Sequence, residues 1–152
     1  MFSLYNPTAN PSYPNGLYSG SIFNPNSNTP SISKTLRHSG NIFGISMAKS
    51  VSKGVYWFQA IENIHTLQTG GSVVSHAEPG KNLWNRVEIS DDGTVMAGFP
   101  VGLGYIWIYK NGSWEKQEDA GERNWRDIAL SPAGNVIYAI TYDANYVFKR
   151  EL

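Results

Sequence analysis

The sequence predicts an all-β fold of repeated antiparallel sheets, preceded by an extended, irregular N-terminal arm. Three observations carry this. Strand-length runs of β-branched and aromatic residues are separated by turn dipeptides, no apolar period of 3.6 residues is sustained, and the chain matches itself at an offset of 41 residues. Composition agrees: aromatic residues make up 13% of the chain and charged residues only 16%, against roughly 25% charged in an average globular protein. Fifteen Gly, nine Tyr and five Trp suit short strands joined by tight turns. At 152 residues and 41% hydrophobic, the chain has the length of one domain plus an appendage.

The arm is read as residues 1–40, where five of the eight prolines fall at positions 7, 11, 14, 25 and 30. Proline removes a backbone donor and biases the preceding residue toward extended conformations, so neither helix nor regular ladder is favoured there. Phe2, Leu4, Tyr5, Tyr13, Leu17, Tyr18, Ile22 and Phe23 are too many large apolar groups for a solvated linker. The segment is therefore expected to order on contact, with a disordered tail as the competing reading.

Residues 41–152 are read as the β-repeat domain. The strand-like runs are 54–61, 71–77, 85–90, 94–99, 104–110, 113–117, 126–131, 135–142 and 145–152. Asp92-Gly93, Asn111-Gly112 and Ala133-Gly134 are the turn dipeptides between them. At the offset of 41, Gly80 matches Gly121, Trp84 matches Trp125, Ser90 matches Ser131, Gly93 matches Gly134, Val95 matches Val136 and Tyr105 matches Tyr146. The copies span about residues 80–120 and 121–152. A degenerate third copy is read at an offset of 50, from Gly54-Val55-Tyr56-Trp57-Phe58 against Gly104-Tyr105-Ile106-Trp107-Ile108.

The unit W-x-x-φ-x-φ-S-x-x-G-x-V, followed by an aromatic strand and a second Trp strand, resembles the blades of sialidase-type and tectonin-like β-propellers, and its spacing is similar to that of WD-type blades. The resemblance covers about 70 of the 152 residues. It implies propeller-like four-stranded antiparallel blades, about two full and one partial. Ser90-Asp91-Asp92-Gly93-Thr94 is close to the Asp-box of sialidases but a residue short, so it and Ser131-Pro132-Ala133-Gly134 are read as hairpin turns. Closed propellers need four or more blades. Several chains would then share a ring, or exposed sheet edges would need a cover. Residues 18–23 or 31–36 of the arm are candidates for such an added strand, on the last sheet or a neighbour's.

Chemistry is sparse. Without Cys there is neither disulfide nor thiolate site. His38, His65 and His76 show no metal-ligand spacing, and Glu115, Glu118, Asp119 and Glu122 lack the alternation of a calcium loop and read as a solvated edge. Neither G-x-S-x-G nor a P-loop occurs. The expectation is no catalytic residue, no metal, no cofactor and no enzyme. The net charge is zero, with four basic and no acidic residues before Glu62, too dilute a bias for nucleic-acid binding. No signal peptide or membrane-length apolar stretch is seen, so a soluble chain without membrane insertion is expected.

Aromatics remain. Trp84 beside Arg86, Trp125 beside Arg126, and Trp114 are the candidate ligand-binding residues, because a pyranose stacks its apolar face on an indole while charged groups bond its hydroxyls. The alternative places the same rings between sheets as core, and alternate apolar positions on both strand faces favour it. Two functions follow. One is a non-enzymatic structural or assembly protein, for instance a virion accessory (decoration, tail or fibre) component tethered by its arm to other protein chains as an oligomer or larger assembly. The other is a carbohydrate-binding lectin with sites for glycans between blades.

Overall fold

The computed structural model describes residues 2–5, 16–21, 33–39, 42–50, 53–58, 61–68, 72–142 and 146–152. Among these the chain is β throughout, apart from a 3-10 turn at Glu118–Ala120. The first antiparallel sheet holds β1 (Phe2–Tyr5), β2 (Gly16–Ser21) and β3 (Ser33–Ser39) in that order. The second has the order β4-β5-β7-β8, from β4 (Ile42–Met47), β5 (Gly54–Phe58), β7 (Ile64–Leu67) and β8 (Val73–His76). The third runs outward as β9 (Asn82–Ile89), β10 (Met96–Pro100), β12 (Trp107–Lys110) and β13 (Ser113–Lys116), with the two-residue β6 (Ile61–Glu62) on the inner edge of β9. The fourth runs β14 (Arg123–Leu130), β15 (Val136–Thr141) and β16 (Val147–Glu151), with β11 (Leu103–Gly104) on the inner edge of β14.

Every predicted strand-like run holds a strand, and the turn glycines have the backbone that turns demand. Gly93 and Gly134 sit at φ 73 and 69, and Asn111-Gly112 at φ 55 and 88. Such positive values cost a β-branched side chain heavily, and an Asn-Gly pair adopts them readily.

Three backbone devices recur at the repeat spacing. Each first hairpin is closed by one bond: Ala48 N to Lys53 O, Ser90 N to Val95 O and Ser131 N to Val136 O. Neighbouring hairpins are linked by Ser50 N to Asp91 O at 2.8 Å and Asp91 N to Pro132 O at 2.9 Å, donors and acceptors each 41 residues apart. A short bridge then stitches each sheet to the next first strand, Ile61 opposite Leu83 in one case and Leu103 opposite Asn124 in the other. The last three sheets are therefore successive copies of one blade-like unit.

Two expectations are corrected. The third copy does not lie at an offset of 50. The hairpin bond of Ala48 and Lys53 places β5 opposite β10 in the repeat, at an offset of 42, so Trp57 stands where Phe99 stands. Residues 54–58 are a second strand rather than a third, and the four-stranded sheet β4-β5-β7-β8 is the unit they belong to. The expected added strands from residues 18–23 and 31–36 do not extend the last sheet either. Gly16–Ser21 and Ser33–Ser39 pair with one another, Gly20 opposite Lys34, in a sheet with β1; residues 22–23 and 31–32 lie outside the described residues.

Packing follows the repeat. One core joins the second and third sheets, with Ala48, Val55, Trp57 and Ile64 against Trp84, Val87, Ile89, Met96 and Trp114. Another joins the third and fourth, with Val95, Ala97, Phe99, Ile106 and Ile108 against Trp125, Ile128, Ile137, Ala139 and Phe148. Trp84 and Trp125 are equivalent members of the two cores, 1% and 0% exposed. Gly44 is required for this packing, because a Cβ there would collide with the Trp57 ring.

Candidate functional site

The first strand of each repeat, β4, β9 and β14, lies beside the next, and an open cleft of about 1110 Å³ runs along them. Ser46, Trp57, Arg86, Glu88, Arg126, Asp127 and Tyr142 are among its lining residues. Strand pleat sends alternate side chains to opposite faces. A bulge in the β9–β10 pairing, where Phe99 faces Arg86 and Pro100 faces Trp84, shifts that alternation by one. Trp84, Val87 and Ile89 are therefore core, while Arg86 and Glu88 turn toward the cleft.

A polar chain crosses all three sheets there. Ser46 Oγ donates to Glu88 Oε2 at 2.9 Å, and Arg86 Nε donates to Glu88 Oε1 at 2.9 Å. The same Nε stands 3.2 Å from Asp127 Oδ1, which also accepts from the Ile128 backbone N–H at 2.9 Å. Arg126 lies over the Tyr142 ring at 5.7 Å. Two guanidinium groups and two carboxylates balance, so the cleft is polar without a net sign. Arg86, Glu88 and Asp127 hold one another, and Arg126 rests against the Tyr142 ring.

At the hairpin end of the units, Lys53 donates to Gly93 O at 2.6 Å beside a shallower hollow of about 500 Å³ lined also by Asp92, Tyr109 and Asn111. Burial pulls the Lys53 ammonium below its usual range, opposed by the Asp92 charge. The Asp92 carboxyl is held low, chiefly by the Ser90 hydroxyl that donates to it at 2.6 Å and then by the backbone and hydroxyl of Thr94. These bonds lock a hairpin turn, as read from the sequence.

Of the sequence-predicted site residues, Arg86 and Arg126 reach the cleft, whereas Trp84, Trp125 and Trp114 do not offer a ring face to it. Trp84 and Trp125 are core, and Trp125 Nε1 donates to Gly104 O at 3.0 Å. Trp114 is buried at the outer rim, where its Nε1 donates to His76 Nδ1 at 3.3 Å and its ring meets the His76 ring edge-on. No face of these indoles is open for a sugar to stack on. Glu88, Asp127 and Tyr142 were missed as cleft residues. The signal for Asp127 was present, because the offset of 41 equates Arg86 with Asp127 rather than with Arg126.

The acidic group reads as expected, a charged edge: Glu115, Glu118, Asp119 and Glu122 are exposed, with Glu118 paired to Lys116 and Asp119 to Arg150, each under 3 Å. Among the described residues no three His, Asp or Glu side chains gather where they could hold a metal. No protein-family model matches the chain, and comparison with curated proteins finds no similar sequence.

Proposed function

We propose that this chain is a non-enzymatic structural or assembly protein, in which three propeller-like blades form an open arc that associates with other protein chains. The observation that carries the reading is the two-sided difference between equivalent strands. β10, the middle of the arc, is buried at every residue, whereas β15 alternates buried and exposed along its length. A sheet that elsewhere in the same chain is covered on both faces thus keeps one face open in its last copy. Large exposed apolar patches on a soluble fold mark association surfaces.

The cleft supports the same reading, since both of its carboxylates, Glu88 and Asp127, are engaged by Arg86. A tethering role for residues 1–40, as in a virion decoration, tail or fibre component, rests on the density of aromatic residues among Asn, Pro and Ser there. Size-exclusion of the chain with and without residues 1–40, each checked for β structure by circular dichroism, tests it. Loss of association on truncation is the expected result. Full association without residues 1–40 counts against the tether.

A further inference from the structure

His76 ties the outer rim of the second sheet to that of the third. It closes β8, the edge strand of its sheet, and its ring stands edge-on to Trp114 on β13 and to Tyr109 on β12. The Trp114 Nε1–H, which can only donate, bonds His76 Nδ1 at 3.3 Å, so Nδ1 is the bare nitrogen of the ring. The neutral imidazole then carries its proton on Nε2, which donates to Thr66 Oγ1 on β7 at 3.2 Å. Gln68 Nε2 donates to the same hydroxyl at 2.7 Å. Both ring nitrogens are thus engaged, and this pattern exists only in the uncharged state.

A second proton would set Nδ1–H against the indole N–H, two donors with no acceptor between them. The groups that face or act on the ring are His65 and Thr66 from β7, Tyr109 from β12, Trp114 from β13 and Lys53 just before β5. Of these, Lys53 and His65 bring positive charge and oppose an imidazolium.

The strand that His76 holds has few other ties. β8 is four residues long, and Val74 in it is 43% exposed. Beyond its ladder with β7, its side-chain bonds among the described residues are those of His76 and an exposed bond from Asn63 to Ser75. The core between the two sheets rests instead on Trp57, Trp84, Val87 and Met96, carried by β5, β9 and β10. Loss of the His76 bonds therefore frees an edge strand and leaves the sheets packed.

The next rim is built differently. The residue 41 positions after His76 is Gln117, buried at the outer end of the third sheet with its Nε2 donating to Glu115 O at 3.0 Å. An amide does not titrate, so only the rim between the second and third sheets carries a proton-sensitive group at this place.

We propose that His76 is an acid-sensitive latch, whose protonation breaks the bond to Trp114, releases β8 and opens the outer rim between the second and third sheets while their core stays closed. In the closed rim the ring takes its proton only near 4, and once released near 6.5. The closed form is therefore fully favoured above pH 6.5, and opening gains by up to about tenfold for each pH unit from there down to 4.

Indole N–H exchange in the full-length chain, followed by NMR from pH 7 to 3.5, tests this, with Trp125 and its bond to Gly104 O as the internal reference. The exchange rate of Trp114 relative to Trp125 should rise by up to about tenfold per unit between pH 6.5 and 4 and level off below. His76→Gln, which installs the residue found at the next rim, should abolish that rise. Should this variant misfold, the wild-type chain decides alone, because nitrogen shifts of the His76 ring at pH 7 should place the proton on Nε2. A proton on Nδ1, a ratio that stays flat while His76 titrates, or a rise that survives His76→Gln overturns the proposal. So does loss of protection at both indoles together, which would make the acid transition a global unfolding.

Discussion

Arg86 and Asp127 stand at the same position of successive repeats, 41 residues apart, and meet across a sheet boundary with Nε 3.2 Å from Oδ1. Divergence of one position into opposite charges has turned it into a cross-link between two copies. Both side chains are about half exposed, at 48% and 49%, so solvent screens the pair and a double-mutant cycle with Arg86→Ala and Asp127→Ala should return a coupling of about 0.2–1 kcal/mol. Coupling indistinguishable from zero would show that this pair adds nothing to the cores and backbone bonds that join the two sheets.

The equivalent tryptophans should respond differently to loss of the indole N–H. Trp84→Ala and Trp125→Ala each delete a fully buried ring and should cost about 3–5 kcal/mol in urea unfolding. Trp125 Nε1 bonds Gly104 O, whereas Trp84 Nε1 has no partner among the described residues. Trp125→Phe should therefore be more destabilising than Trp84→Phe by about 1 kcal/mol. The reverse order would remove the assigned bond.

Gly134 should tolerate no side chain. Its φ of 69 already disfavours one, and a Cβ would sit 2.9 Å from Val95 Cγ2 and 3.0 Å from Ser90 Cβ of the preceding hairpin. Gly134→Val is expected to cost about 1–3 kcal/mol from the backbone alone, with further loss from the contact. Gly93→Val should show the backbone cost. Unchanged melting of both would refute the turn assignment.

The second and third hairpins were legible in the sequence because Gly93 and Gly134 mark their turns and Trp84 and Trp125 mark the strand that enters each. The first hairpin was not. The sequence between Ala48 and Lys53 carries no glycine, and a shorter connection before β7 with a longer one before β8 breaks the ungapped register, so the match at 50 is a false one. β7 hides for another reason: Ile64-His65-Thr66-Leu67 is buried throughout, without the polar alternation that marks a strand with one solvated face. The cleft was half legible. Arg86 and Arg126 were singled out as neighbours of tryptophans, but pleat separates Arg126 from the core ring of Trp125, and a bulge invisible in the sequence separates Arg86 from that of Trp84.

His76 should make stability depend on pH. Burial, helped by the charges of Lys53 and His65, lowers its pKa to about 4, and its Nδ1 must stay unprotonated to accept from Trp114. The unfolded chain takes up that proton near 6.5 and the folded chain only near 4, so this contribution is complete above about pH 6.5 and is lost as the pH falls toward 4. Partial exposure limits the effect to roughly 1–2 kcal/mol. Urea midpoints at pH 7 and 4.5 for the wild type and His76→Gln should differ in slope, with the substituted chain losing less on acidification. Parallel losses would contradict the assignment.

The central claim is that the tryptophans hold blade-like sheets together and are not platforms for a ligand. Trp57, Trp84, Trp114 and Trp125 are buried, leaving Trp107 half-buried. Tryptophan emission of the native chain, titrated with acrylamide and then with a panel of glycans, tests the claim most directly. Blue-shifted emission that acrylamide barely quenches and glycans leave unchanged is the predicted result. Red-shifted, readily quenched emission that moves on addition of a glycan would contradict it.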